Sequence, residues 1–322
     1  MPKVDIWPRL TPQSQQAVEI SRAQYAAFTP TSTDPLRVAR EGYLHERRYW
    51  NSFAVDVAEV RDLEWPTTHG PVPLRLYRPS LAADLPVLVY SHGGGFTLGN
   101  LDSHDRICRL LAVKSGWAVL AVDYTLAPER KFPCQQEQVL QVVLEVVRRG
   151  ASLGIDGRRV ALGGDSAGAR LSLAATLDAR AQNGPAPAAL LLYYGAYGLR
   201  DSMSRRLYGW SDLDGMGDED LNGYNQHQYA SAADRDSVRS NLLANRMDGM
   251  PPMFIGGVSY DPLRDDSVVL AEYLKECAIP HRLRLYEGVL HSFLHYSAIE
   301  PLAMQAIEDG ATFLRELPAS AA

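Results

Sequence analysis

Val160-Ala161-Leu162-Gly163-Gly164-Asp165-Ser166-Ala167-Gly168-Ala169-Arg170 is a short apolar strand, a tight glycine turn and the start of a helix. The helix runs on through Leu171, Leu173 and Ala174 to about Ala181. One serine sits in the turn, inside Gly164-x-Ser166-x-Gly168. Small residues two before and two after it are needed because such a turn brings backbone against backbone. A serine held there presents its hydroxyl at the edge of a sheet, and the helix N-terminus beneath favours developing negative charge. Ser166 is therefore a candidate nucleophile. The competing reading is a plain Gly/Ser turn before a helix, because the pentapeptide also arises by chance.

The surrounding pattern decides between them. Leu85 to Tyr90 is a near-continuous apolar run, as expected of a strand buried on both faces. Ser91-His92-Gly93-Gly94-Gly95-Phe96 follows directly, and three glycines in a row leave peptide N–H groups free to face a ligand. A dinucleotide loop fails because Leu98 stands where the third glycine belongs, and a Walker loop fails for want of Gly-Lys-Ser/Thr. A helix after Asp102 and Ser103, a strand over 117–122, a helix over 134–149 and a strand over 188–193 complete the rhythm around the Ser166 turn. Alternating strands and helices predict a doubly wound, mostly parallel sheet with helices on both faces. Ligands bind such sheets at the carboxyl ends of the strands, where both the glycine loop and Ser166 fall.

Before this core, residues 10–28 read as a helix started by Thr11-Pro12, and residues 29–42 read as broken by Pro30 and Pro35. Glu46 to Asn51 fits a half-exposed helix face or a flap over a pocket. Strands over 56–64 and 72–78 flank Gly70-Pro71 as a hairpin. Residues 196–245 are rich in Gly, Asp, Ser, Asn and Tyr, and contain no strand-like run. An insertion at that edge of the sheet is expected to be a cap. A strand over 252–258, a helix to about Glu276, a strand over 281–286 and a helix over 301–316 close the chain.

The chain of 322 residues has 32 basic against 38 acidic side chains, a net charge of −6, and no basic run. Nucleic acid and anionic membrane are therefore not expected partners. Cys108, Cys134 and Cys277 are isolated and odd in number, which suits free thiols in a reducing compartment better than disulfides or a zinc site. The stretch Met1 to Pro8 lacks the apolar run of a signal peptide, and no run reaches transmembrane length, so a cytoplasmic protein is expected.

A neutral serine needs an imidazole to take its proton and a carboxylate to hold that imidazole. In α/β-hydrolases they follow in the order Ser, Asp, His, each in a loop after a strand. Asp261 and His291 fit that order and placement. Asp261 also fits a helix cap before Pro262, whereas Asp265 and Asp266 fall in the first helical turn, where acids favour the dipole. His281 opens a strand. His295 lies four residues after His291, but the zinc motif H-E-x-x-H would need glutamate at 292, where serine stands. His45, His69, His104 and His227 lie off the strand ends.

Together, Ser91 to Phe96, Gly164-Asp165-Ser166-Ala167-Gly168, Asp261-Pro262-Leu263 and the His291 loop resemble the hormone-sensitive-lipase-like (type IV) esterases of the α/β-hydrolase fold. Longer stretches, among them 95–107, 197–207 and 290–297, are similar to the bacterial acetyl esterases. The resemblance implies an α/β-hydrolase core over 55–195 and 246–322, with a cap built from 1–54 and 196–245. It implies a triad of Ser166, Asp261 and His291, and an oxyanion hole at His92, Gly93, Gly94, Gly95 and Ala167. It implies hydrolysis of short acyl esters, acetyl to butyryl, through an acyl-enzyme, with a small-molecule ester as substrate and no metal or organic cofactor. Alternatives are a peptidase or amidase on the same triad, and a regulatory binding protein with vestigial activity. Neither a homo-oligomer nor a regulatory protein contact is legible in the residues. Three positions depart from the family pattern: Thr125 for arginine, Asp266 for glutamate and Ser292 for glycine.

Overall fold

The computed structural model describes residues 3–53 and 55–318, so Met1, Pro2 and Ala54 of the expected N-terminal segment lie outside it, as do residues 319–322. Helix α1 (Pro12–Ala27) starts as the sequence predicts, with the Thr11 hydroxyl accepting from Ser14 N–H and proline at the first helical position. The expected break at Pro35 is corrected: Pro35 opens α2 (Pro35–Asn51), and Asp34 caps it by accepting from Arg37 N–H. A proline's fixed φ suits a first turn, so the residue read as a breaker is a start signal. Glu46, Arg47 and Trp50 of α2 are buried, with the Trp50 indole N–H and the Ser21 hydroxyl both donating to Glu46 Oε1 at 2.6 Å.

Strands β1 (Glu59–Thr67) and β2 (Gly70–Arg78) form the antiparallel hairpin, with Gly70 at φ 109° supplying the turn. After β3 (Leu85–Ser91) come α3 (Asp105–Ser115), β4 (Ala118–Val122), α4 (Cys134–Arg149), β5 (Ile155–Asp165), α5 (Ala167–Ala181) and β6 (Ala189–Tyr193). Ahead of α3, Asn100 and Ser103 cap each other: Ser103 N–H donates to Asn100 Oδ1 and Asn100 N–H to Ser103 Oγ, each at 2.9 Å. Four short helices follow β6, namely α6 (Met203–Leu207), α7 (Ser211–Asp214), α8 (Asp218–Gln228) and α9 (Ala232–Asp236). The chain then finishes with β7 (Met253–Val258), α10 (Arg264–Glu276), β8 (His281–Tyr286) and α11 (Pro301–Arg315). One eight-stranded sheet results, in the order β1-β2-β4-β3-β5-β6-β7-β8. It is antiparallel through β1, β2 and β4 and parallel from β4 onward.

Successive side chains of a strand point to opposite faces, and the two cores follow that rule. Val87 and Val89 of β3 join one core with α4, α5 and α10, while Leu88 and Tyr90 join the other with α3 and α11. Burial on both faces explains the unbroken apolar runs of β3, β4 and β6.

Residues 196–245 carry no strand and are tied to the N-terminal segment. Lys3 Nζ donates to the carbonyls of Arg205 and Tyr208, and Arg22 pairs with Asp212 at 2.9 Å. Ile6, Leu10 and Val18 pack with Tyr208, Tyr260 and Leu290 in a third apolar cluster. No helix among the described residues is long and apolar enough to cross a membrane.

Asp266, read from sequence as a helix-dipole acid, anchors the start of this insertion. Its Oδ1 accepts from the N–H groups of Tyr197, Gly198 and Leu199 at 2.7, 3.0 and 3.1 Å, and Oδ2 faces Arg205 at 3.1 Å. Asp266→Ala would leave three N–H groups and a guanidinium without their acceptor. The expected cost is about 3–5 kcal/mol of unfolding free energy, measured by urea denaturation. A loss below about 1 kcal/mol would show that the insertion does not depend on this carboxylate.

Candidate active site

Ser166 joins β5 to α5 with φ 52° and ψ −116°, a conformation that ordinary side chains avoid. The surroundings hold it there. Ser166 N–H donates to Tyr193 O at 2.8 Å, fixing the turn to β6. A Cβ at Gly168 would fall on the carbonyls of Ser91 and His92, and one at Gly164 on Ser91 O and the Gly168 carbonyl. The two glycines of the motif thus let α5 start against the end of β3.

That contact brings the glycine loop beside the serine. His92 Nδ1–H donates to Gly93 O at 2.7 Å, and Tyr124 donates to His92 O at 2.8 Å. Gly93 N–H is shared between Asp165 Oδ1 at 3.1 Å and His104 Nε2 at 3.3 Å. The Ser103 hydroxyl spends its proton on Asn100 O, so His104 Nδ1 must donate to Ser103 Oγ, which leaves Nε2 as the acceptor. Burial, the largest influence on His104, lowers its pKa and keeps it neutral. His92 and Gly93 were expected among the oxyanion donors. This is corrected for Gly93, whose N–H is committed to Asp165 and His104, and His92 has its ring turned to its own loop. Gly94, Gly95 and Ala167 have no backbone acceptor for their N–H groups among the described residues.

Asp165 Oδ1 also accepts from the Tyr90 hydroxyl at 2.8 Å, so a residue that is only a spacer in the motif is the hub beneath the loop. Burial would raise its pKa, but at the acid pH where a carboxyl titrates a protonated His104, together with the Tyr90 hydroxyl, outweighs that and holds it low. His104, Asp165 and His295 bring possible metal-ligating atoms within 4.8 Å of one another, all buried. In the structure, His104 Nε2 and Asp165 Oδ1 both accept from Gly93 N–H.

Asp261 and His291 lie just past β7 and β8. His291 Nδ1–H donates to Asp261 Oδ2 at 2.6 Å, and His291 Nε2 accepts from Ser166 Oγ at 2.8 Å. Asp261 Oδ1 accepts from Leu263 N–H at 2.7 Å, a turn bond in the loop ahead of α10 rather than a helix cap, since α10 starts at Arg264 behind Leu263. Asp261 is fully buried, His291 is 3% exposed and Ser166 9%. Burial alone would lower the His291 pKa, but the carboxylates, Asp261 foremost, raise it above its ordinary value. His281 is a strand-end residue bonded to Ile279 O, and His295 packs edge-on against His104.

Ser166 and His291 open into a cavity of about 780 Å³. Its walls come from three parts of the chain: Gly94 and Gly95, Tyr43 and Arg47 of α2, and Asp214 and Tyr224 of the insertion.

A family profile described as the alpha/beta hydrolase fold matches residues 88–295, which span the glycine loop, Ser166, Asp261 and His291. The chain belongs to the α/β-hydrolase family. Acetyl esterases of Salmonella schwarzengrund and Salmonella paratyphi B are 39% identical over 311 residues, 95% of this chain and 95% of theirs. The hyperthermophilic esterase of the archaeon Pyrobaculum calidifontis superposes with a TM-score of 0.89 at 28% identity, covering 95% of this chain and 98% of its own. An ester-hydrolase from the Lake Arreo metagenome, complexed with a bipyridine phosphonate derivative, gives 0.87 at 29% identity, with coverage of 95% and 98%.

Two departures from the pattern of this hydrolase family have local explanations. Thr125 is locked to α4, with its N–H donating to Gln138 Oε1 and its hydroxyl accepting from Gln138 Nε2, each at 2.9 Å. Ser292 takes φ 64°, the left-handed region in which glycine is favoured, so the serine sits where a glycine would be unstrained. Gly168→Ala has no such latitude, because backbone carbonyls occupy the space. It is expected to cost about 3 kcal/mol or more and to abolish activity in whatever protein still folds, as read by thermal denaturation and an ester assay. Wild-type stability in Gly168→Ala would show that α5 is free to back away from β3.

Proposed function

We propose that the chain is a carboxylic ester hydrolase acting on short acyl esters, acetyl to butyryl, with Ser166 as nucleophile, His291 as general base and acid, and Asp261 holding His291. The observation that carries this reading is the unbroken relay Asp261–His291–Ser166, at 2.6 and 2.8 Å, opening on the cavity. Ser166 attacks the acyl carbon while His291 Nε2 takes its proton. The N–H groups of Gly94, Gly95 and Ala167 receive the oxyanion, and the α5 N-terminus adds its partial positive charge. His291 then protonates the leaving alcohol, and a water deprotonated by the same imidazole releases the acid. Asp261 favours the imidazolium that forms in each step, which accords with the raised His291 pKa. The N-terminal segment and residues 196–245 act as a cap over the acyl and alcohol sites. Three cysteines without disulfides support a cytoplasmic setting.

In a p-nitrophenyl ester series from acetyl to dodecanoyl, turnover is expected to peak between acetyl and butyryl. Ser166→Ala should fall by about a million-fold, to the background rate. A peak at long chains would overturn the short-chain reading, and an active Ser166→Ala would overturn the nucleophile. The base works only when neutral, so kcat/KM should fall with decreasing pH, with its acid midpoint above the ordinary histidine value of 6.5. A midpoint below that value would contradict the dominance of the carboxylates around His291.

A further inference from the structure

Arg170 lies one turn along α5 from Ser166 and lines the same cavity, with its backbone N–H donating to Ser166 O at 3.2 Å. Residues four apart share a face of a helix and stand about 6 Å apart along its axis. The guanidinium is held by neutral groups alone. Nη1 donates to Ala196 O at 3.1 Å, and Nη2 donates to the Tyr229 hydroxyl at 2.8 Å, to Ser240 Oγ at 2.9 Å and to Ser240 O. Every other arginine on this wall has a carboxylate. Arg22 pairs with Asp212, Arg47 with Glu46 and Arg205 with Asp266, while Arg200 and Arg235 share Asp236. Arg170 has none among the described residues. Its Nε also has no acceptor among them and, unlike the Nε of Arg47 and Arg205, is not shut from solvent. The side chain that lines the cavity is thus still open to it, with the residue 8% exposed.

The wall around Arg170 is cationic. Ala196, Tyr229 and Ser240 belong to two stretches of the insertion, 196–200 and 228–241, which bring Arg200 and Arg235 to the cavity and no acidic side chain. The acids of the wall, Glu46, Asp212 and Asp214, stand apart on α2 and α7. Tying the insertion to α5 uses the donors of Arg170, whose acceptors are carbonyl and hydroxyl oxygens, and leaves its charge without a counterion. A charge largely withdrawn from water calls for one, and a guanidinium with an open edge presents its N–H groups in the plane that suits a carboxylate. We propose that Arg170 is a specificity-determining residue that selects esters bearing a free carboxylate, bound one helical turn from the nucleophile. This rests on the esterase reading above. The carboxylate belongs either to the acyl half, as in the monoester of a dicarboxylic acid, or to the alcohol half, as in an acylated hydroxy acid.

The test uses two pairs of esters in which a carboxylate is replaced by the isosteric, uncharged carboxamide. Monomethyl succinate against methyl succinamate varies the acyl half, and 3-acetoxypropionate against 3-acetoxypropanamide varies the alcohol half. Wild-type kcat/KM, followed by acid release at pH 8, should favour the carboxylate by about tenfold or more in one pair, which identifies the half that meets Arg170. In Arg170→Met that ratio should collapse toward one, whereas Arg170→Lys, which keeps the charge, should retain a preference of several-fold. Loosening of the insertion affects both members of a pair alike and cancels from the ratio. Wild-type ratios near one in both pairs overturn the proposal. So does an Arg170→Met enzyme with the wild-type ratio, or an Arg170→Lys enzyme that loses the preference as fully as Arg170→Met, since the charge at 170 would then not be what selects. Turnover of the carboxamides without a preference leaves the esterase reading standing, whereas turnover of none of the four esters by wild type overturns both.

Discussion

The close approach of the α5 N-terminus to the end of β3 is the constraint on which the rest depends. Glycines at 164 and 168 let backbone meet backbone there, because a side chain at either position would occupy the space of the Ser91 carbonyl. That one contact sets Ser166 in its strained turn and brings the glycine loop beside it. Strain of this kind, of the order of 1–3 kcal/mol, persists only where the surroundings over-determine it. Here the surroundings are a parallel sheet buried on both faces, with the β5–β6 register adding the bond from Ser166 N–H to Tyr193 O.

Buried carboxylates carry the second level of organisation, and each has a distinct task. Asp165 gathers Tyr90 and Gly93 beneath the loop. Asp261 orients His291 and caps Leu263. Asp266 collects the backbone at 197–199. Glu300 accepts from the hydroxyls of Thr11 and Ser14, at 2.5 and 2.7 Å, and so ties α1 to the turn before α11. A buried charge is tolerable only where hydrogen bonds replace water, and these four meet that condition. Asp214 has one oxygen that does not, which sets it apart from the others.

The core and the Ser166 turn were legible in the sequence because their signals are local. Two-sided burial makes β3, β4 and β6 continuous apolar runs, and a tight turn demands glycine at fixed offsets. Asp261 and His291 were legible through position, as polar residues just past apolar strands. What stayed hidden depends on partners distant in sequence. Pro35 reads as a breaker until Asp34 is seen to cap the helix behind it. Asp165 reads as a spacer because its partners Tyr90, Gly93 and His104 lie some 60 to 75 residues away. Glu46 and Arg47 fit either a half-exposed helix face or a flap over a pocket, because charge beside large aromatics suits both. Only the meeting of α1 and α2 shows that Trp50 and Ser21 satisfy Glu46 in the interior.

The cavity exists only when three separate parts of the chain have docked: the sheet edge, the N-terminal segment and the insertion after β6. The relay to Ser166 belongs to the sheet edge alone, whereas much of the cavity wall comes from the N-terminal segment and the insertion. The relay and the cavity wall around it are therefore carried largely by different parts of the chain. Glu46, Asp266 and Glu300 shape the cavity through the chain they hold, because each fixes a segment that supplies a wall.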